Sequence, residues 1–194
     1  MTLWERVQQS VLHHEGGLSL NHHDRGNWTT GIVGQGELKG TKYGISAMSY
    51  PHLDIKNLTR EEAIAIYKRD FWDRIPSDLP DGLRWITFDA AVNHGPHRAL
   101  SWMKSHHTVA EYAAARLRFY TALGNWARFG AGWTRRIAGL LEEITEWGER
   151  LERLERADTV VFHGFGEPIV IRNNFVWRSR GAKIDIRRDP PLEE

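Results

Sequence analysis

Two carboxylates and a neighbouring threonine pair, set around a glycine-rich stretch, are the groups in this sequence best suited to chemistry. His14-Glu15-Gly16-Gly17 closes a helical pattern, and Asp24 follows Glu15 by nine residues. A carboxyl group at a helix end, beside glycines that let the backbone approach a bulky polymer, is well placed at the lip of a cleft. Shielding from water raises a carboxylic acid's pKa, so that it keeps a proton to donate to a leaving group. Breaking a glycosidic bond needs such an acid. It also needs a second group on the opposite face, to stabilise positive charge on the sugar or to place a water. Glu15 is the candidate acid and Asp24 the candidate second group. Thr29 or Thr30 can hold the water, since a hydroxyl both donates and accepts. The plainer alternative is that Glu-Gly-Gly is a helix stop and that Asp24 caps a turn.

Other side chains extend this candidate site. Trp28 lies in the polar loop and off any periodic apolar face, which makes it the first candidate for a sugar platform, with Tyr43 second. Trp85, Trp102 and Trp133 sit in helical patterns and are expected in the core, while Trp4 and Trp72 fit either role. Asn93 and His94, at a helix end before Gly95-Pro96, are candidate substrate-binding residues, though capping and turn packing explain them equally well. His13-His14 and His22-His23 flank the site and invite a metal reading. Adjacent helical residues point about 100° apart, however, and no H-E-x-x-H pattern or cysteine completes a zinc site, so no metal and no cofactor are expected.

The elements that position these groups read as mainly α-helical. Leu3, Val7 and Val11, with Trp4 and Leu12, have helical spacing up to Gly16-Gly17. Between 18 and 44 the pattern breaks. Six glycines (Gly26, Gly31, Gly34, Gly36, Gly40 and Gly44) predict a long irregular loop holding a short hairpin. Thr59-Arg60-Glu61-Glu62 is a capping-box pattern opening a helix through Phe71. Leu83 to Val92 reads as a buried helix stopped by Asn93-His94-Gly95-Pro96. Further helices are expected over 96–105, 109–123 and 133–156. After Asp158, Thr159–Phe162, Pro168–Ile171 and Phe175–Trp177 are β-like, so 159–189 reads as a small β appendage followed by a loose tail.

An ordered series of segments resembles a known family. Glu15-Gly16-Gly17, Asp24-Arg25-Gly26-Asn27-Trp28-Thr29 and Gly40-Thr41-Lys42-Tyr43-Gly44-Ile45-Ser46 begin it. Leu58–Ala63, Ile66–Trp72 and Phe88–Pro96 continue it. Together they are similar to glycoside hydrolase family 108, the N-acetylmuramidases of bacteriophages, prophages and bacteria. Arg116–Tyr120 and Phe129–Trp133 resemble the peptidoglycan-binding region that usually follows the hydrolase part, so the likeness covers about residues 1–150. It implies a lysozyme-like helical fold and cleavage of the β-1,4 bond between N-acetylmuramic acid and N-acetylglucosamine. It also carries the family's catalytic Glu over to Glu15. The spacing of Glu15, Asp24 and Thr30 is similar to the Glu–Asp–Thr triad of many phage lysozymes.

Two departures accompany the likeness. The family's usual Gly-Gly after the Asp is Gly26-Asn27 here, and about a dozen extra residues precede Tyr43-Gly44-Ile45. Either Thr30 or Thr41 can therefore fill the threonine role, with Thr30 first on spacing. Glu37, in the insertion, is a spare carboxylate whose plainer reading is a solvated loop charge. The implied organisation is a lysozyme-like muramidase domain over 1–157, of which 97–157 is the peptidoglycan-binding part, and a β appendage over 158–194.

Composition narrows the rest. The 194 residues include nine tryptophans and no cysteine, which excludes a disulfide scaffold, a thiolate metal site and a cysteine nucleophile. With 26 basic and 25 acidic side chains, the formal charge of +1 gives no argument for nucleic acid. The Arg150–Arg156 stretch alternates with Glu149, Glu152 and Glu155 as a solvated helix face. No segment reads as a membrane span or a secretory signal. The expectation is an endolysin that stays in the cytoplasm until a holin admits it to the cell wall, with peptidoglycan glycan strands as its partner and its oligomeric state open. The rival readings are a lytic transglycosylase and a non-catalytic cell-wall-binding or virion protein.

Overall fold

A computed structural model of the chain describes residues 1–13, 17–156, 159–163, 169–172 and 183–186, with side chains for 1–10 and 17–151. Its contacts separate into two compact units, one formed by Trp4–Leu79 with Thr87–Ser101, the other by Met1–Leu3, Pro80–Ile86 and Trp102–Glu194.

In the unit holding the candidate site, α1 (Leu3–His13) leads into the glycine-rich segment. That segment contains a 3-10 turn, Arg25–Asn27, and a two-stranded antiparallel sheet of β1 (Thr41–Lys42) and β2 (Ile45–Ser46). The expected short hairpin thus sits at the end of the loop. Helix α2 (Arg60–Asp70) starts at the capping box: the Thr59 hydroxyl accepts from the Glu62 N–H at 3.2 Å, and the Glu62 carboxylate accepts from the Thr59 N–H at 2.8 Å. Acidic Glu61 and Glu62 in its first turn, with Lys68 and Arg69 in its last, complement the helix dipole. The core of this unit includes Val7, Ile45, Ile55, Ile66, Tyr67, Trp72 and Phe88. Trp4 lies 5.3 Å from Trp72 and 5.8 Å from Phe88 between ring centroids, which places both undecided tryptophans in packing.

Helix α3 (Asp81–His94) contributes its second half to this unit and its first half to the other. It extends two residues beyond the expected span at each end and stops where Gly95 takes φ 82° and its N–H reaches the Ala91 carbonyl at 2.9 Å. Pro96 then opens α4 (Pro96–Ser105), as a residue without an N–H can at a first helical position.

The other unit is built on α5 (Val109–Thr121) and the 31-residue α6 (Trp126–Arg156), with the start of α3 against them. Gly82 is packed so closely that a Cβ there would lie 2.8 Å from Ile144 Cγ2. The Trp147 indole donates to the Asp81 carboxylate at 2.8 Å. Leu83, Trp85, Tyr112, Ile137, Leu140 and Trp147 are buried here. Trp85 is a core residue as expected, whereas Trp102 and Trp133 are half-buried. Trp133 instead stacks on Tyr120, with 5.0 Å between centroids.

Helix α6 begins seven residues before the expected Trp133. Within the added turns, Gly130 has a packing role. A Cβ on it would lie 2.6 Å from the Trp126 ring, so its absence lets the indole lie against the helix. Beyond α6, β3 (Thr159–His163), β4 (Ile169–Arg172) and β5 (Lys183–Ile186) form an antiparallel sheet in the order β4-β3-β5. Phe162 stands opposite both Ile169 and Ile184. The expected run over 175–177 lies outside the described residues. The third strand is Lys183–Ile186, whose alternating Lys-Ile-Asp-Ile gave no continuous apolar signal.

Candidate active site

Glu15, with His14 and Gly16, lies outside the described residues, as do the side chains of 11–13. The site can therefore be built from Gly17 onward.

Its organising residue is Asn27, which is fully buried. The Asn27 amide donates to the Asn21 carbonyl at 2.9 Å, and its side-chain oxygen accepts from the Thr41 hydroxyl at 2.7 Å. The Asn27 backbone carbonyl accepts from the N–H groups of Lys39 and Gly40, at 3.1 and 3.0 Å. One side chain thus ties the segment before the 3-10 turn to the segment entering β1. Gly40, at φ 88°, is where those strands close: a Cβ would collide with the Ser19 carbonyl, so only glycine fits. Asn27 stands where the resemblance marked a departure, and its buried bonds give it a structural role.

Asp24 caps the turn. Its Oδ1 accepts from the Gly26 N–H at 2.9 Å, and the side chain is exposed. The turn uses one of its two carboxylate oxygens. Trp28 is half-buried, with its indole N–H donating to the His22 carbonyl at 2.9 Å, which fixes the ring's edge. The inserted residues close on themselves between Trp28 and Leu38, which form a β-bridge. Within this excursion the Thr29 N–H reaches the Glu37 carbonyl, while the Thr29 hydroxyl accepts from the Glu37 N–H, both at 3.0 Å. The Thr30 hydroxyl donates to the Gln35 carbonyl at 2.7 Å. Both candidate triad threonines therefore have their hydroxyl protons engaged, Thr30 within its own loop and Thr41 at Asn27. Glu37 is exposed, 3.5 Å from Lys39, as a solvated loop charge would be.

Tyr43 and Gly44 form the two-residue turn between β1 and β2, with φ 51° and 73°. A left-handed conformation at a residue with a side chain costs about 1 kcal/mol. The Tyr67 phenol, from α2, donates to the Tyr43 carbonyl at 2.9 Å and holds the turn. The rings of His22 and His23 lie 3.8 Å apart, and among the described residues no three potential ligands gather into a metal-binding group. The exposed Asn93 amide donates to the Asp89 carbonyl one turn back at 2.6 Å, and half-buried His94 is the last residue of α3.

The hairpin is also tied to α2 through Tyr50, whose phenol donates to Asp70 Oδ2 at 2.8 Å. Arg69 binds the same carboxylate through two 2.7 Å bonds. The Arg69 bonds hold the Asp70 carboxyl below its ordinary value, with the Tyr50 bond helping. Burial, followed by the bond to Asp70, pushes the Tyr50 phenol well above its own. Asn27, Tyr67 and the Tyr50–Asp70 pair all escaped sequence reasoning. Asn27 alone carried a signal, as a residue that departs from the family pattern.

The sequence profile of glycosyl hydrolase 108 matches residues 8–95, a span that includes Glu15, Asp24, Tyr43 and Asn93. Among solved structures, the chain is similar to one described as "Structure of Brucella abortus SagA", with 23% identity and a TM-score of 0.59. That alignment covers 74% of this chain and 94% of the other, and it carries the fold, a mainly helical lysozyme-like architecture. No curated protein matches the chain. Residues 8–95, with the hairpin and helices that frame its loop, match the family glycosyl hydrolase 108, and that match supports glycoside hydrolase activity.

Proposed function

We propose that the protein hydrolyses the glycan strand of peptidoglycan at the β-1,4 bond between N-acetylmuramic acid and N-acetylglucosamine, with Glu15 as general acid. The observation that carries this reading is the family match over 8–95, which takes in the Glu-Gly-Gly element and the Asp24 turn. Glu15 protonates the glycosidic oxygen as the bond lengthens. Asp24 faces the developing positive charge with the oxygen its turn does not use, or directs a water. Thr30 contributes a lone pair, its proton being bonded to Gln35. Trp28 and Tyr43 bind sugar rings, and Asn93 and His94 line the substrate path. Residues 97–157 retain the wall, and the β appendage over 158–194 is a separate piece. The setting that suits this activity is a phage or prophage endolysin that reaches the wall after holin action.

The test is digestion of purified peptidoglycan, with the fragments identified by mass spectrometry. The parent protein is expected to release reducing muramic ends. Glu15→Gln should lower the rate roughly 10²–10⁴-fold, the usual contribution of a positioned acid. Asp24→Asn keeps an oxygen for the Gly26 cap, so loss of activity there reports the carboxylate and not the turn. Products with 1,6-anhydro ends would make the enzyme a lytic transglycosylase, and no fragments at all would favour a binding protein.

A further inference from the structure

The Tyr43 turn is built against the preference of its own residue. Two-residue hairpin turns with positive φ at both positions favour Asn-Gly or Asp-Gly, because those side chains tolerate the left-handed region. Here the first position holds a half-buried aromatic ring at φ 51°. The hairpin itself gains nothing from that choice, since Asn would close the same turn with less strain. Contacts from Tyr67 and Lys42 nevertheless hold the arrangement. The Tyr67 phenol donates to the Tyr43 carbonyl at 2.9 Å. Tyr67 is buried, tilted on Phe71 at 5.7 Å and edge-on to Phe88 at 6.5 Å between centroids, so its donor has a fixed direction. Lys42 Nζ, donating to the Lys56 carbonyl at 3.0 Å, stands 5.4 Å from the Tyr43 ring centroid. A strained position over-determined by its surroundings points to a use other than folding. An aromatic ring carried on a turn whose backbone is fixed in advance suits a flat, CH-bearing ligand such as a pyranose, because less ordering remains to be done on binding.

We propose that Tyr67 is a positioning residue for Tyr43, and that the latched pair forms a sugar-stacking position. The Tyr67 phenol holds the turn in its strained form and so keeps the Tyr43 ring where a pyranose stacks on it. This inference rests on the glycan-strand reading above and adds how one of its binding positions is set. Tyr67 itself does not touch the sugar.

The test uses Tyr43→Asn, Tyr67→Phe and their combination in the full chain, measuring kcat and KM on soluble peptidoglycan and the thermal midpoint of each. Tyr43→Asn should raise KM about tenfold, the scale of one lost stacking contact, and far more than it lowers kcat, while melting at or above the parent temperature. Tyr67→Phe should raise KM about threefold, and adding it to Tyr43→Asn should raise KM no further, as expected when one residue acts through the other. An unchanged KM in Tyr43→Asn, a lowered melting temperature in that variant, or KM effects that multiply in the combination would each overturn the proposal. Calorimetric binding of N-acetylglucosamine tetramer, in proteins that also carry Glu15→Gln, separates the two levels. Binding that weakens in Tyr43→Asn supports the stacking position even if no muramic ends are released. Intact Glu15-dependent cleavage with unchanged binding rejects the stacking position alone.

Discussion

At the scale of residues, Tyr50 and Asp70 carry opposite ends of a pH dependence. Asp70 is held below its ordinary value, chiefly by Arg69, so its contribution to stability is whole above about pH 4. It drains away as pH falls through the lowered value. Tyr50 is shifted upward, chiefly by burial and then by the bond to Asp70, so its contribution is whole below about pH 10 and is lost as pH rises further. The urea midpoint of the parent should therefore decline on both sides. Tyr50→Phe is expected to flatten the alkaline decline and keep the acid one, because Arg69 still holds Asp70. Asp70→Asn should flatten the acid limb and keep most of the alkaline one, because burial still raises the Tyr50 phenol. Profiles parallel to the parent's in both variants would remove the pair from the account. Neither residue was legible in the sequence, since a Tyr and an Asp twenty positions apart carry no spacing rule and meet only when the hairpin comes against α2.

At the scale of elements, the helix signals that act locally were the legible ones. Thr59 and Glu62 announced α2 because both capping bonds form within four residues. Thr59→Ala should cost about 1 kcal/mol in equilibrium urea unfolding, and Thr59→Ser, which keeps the oxygen, should cost much less. Equal losses in the two variants would mean that the threonine methyl matters more than the cap. Thr108 and Glu111 form the same box at α5, four residues after the helix stop that the sequence placed at 105. The start of α6 was hidden for the opposite reason. Glycine is a poor helix former, and only the ring lying against Gly130 reveals why the helix tolerates it. The glycine-rich segment was legible as a loop but not as a knot. Its closure depends on Asn27 meeting Asn21 and Thr41, partners at separations no local pattern encodes.

At the scale of the whole molecule, the family span ends inside a shared element's neighbourhood. Cutting at residue 95 keeps all of α3, yet the first half of that helix belongs to a unit made mostly of residues beyond 101. Leu83, Trp85 and Ile86 are buried in the full chain. A fragment of residues 8–95 is expected to bind a hydrophobic dye and to melt without a cooperative transition, whereas residues 1–156 should melt cooperatively. A sharp melt in the short fragment would show that the first half of α3 needs no cover.

The same division of α3 sets an order of events on the ribosome. Every residue of the unit holding the hairpin has been made once Ser101 is added. The other unit must still wait for Ile137, Leu140 and Trp147. At roughly 5–20 residues per second, synthesis from Ser101 to Trp147 takes several seconds. During that interval the glycine-rich loop can already be knotted, while Leu83, Trp85 and Ile86 stand uncovered on the nascent chain. The hazard in making this protein then falls early in α3, before α6 has arrived to cover it.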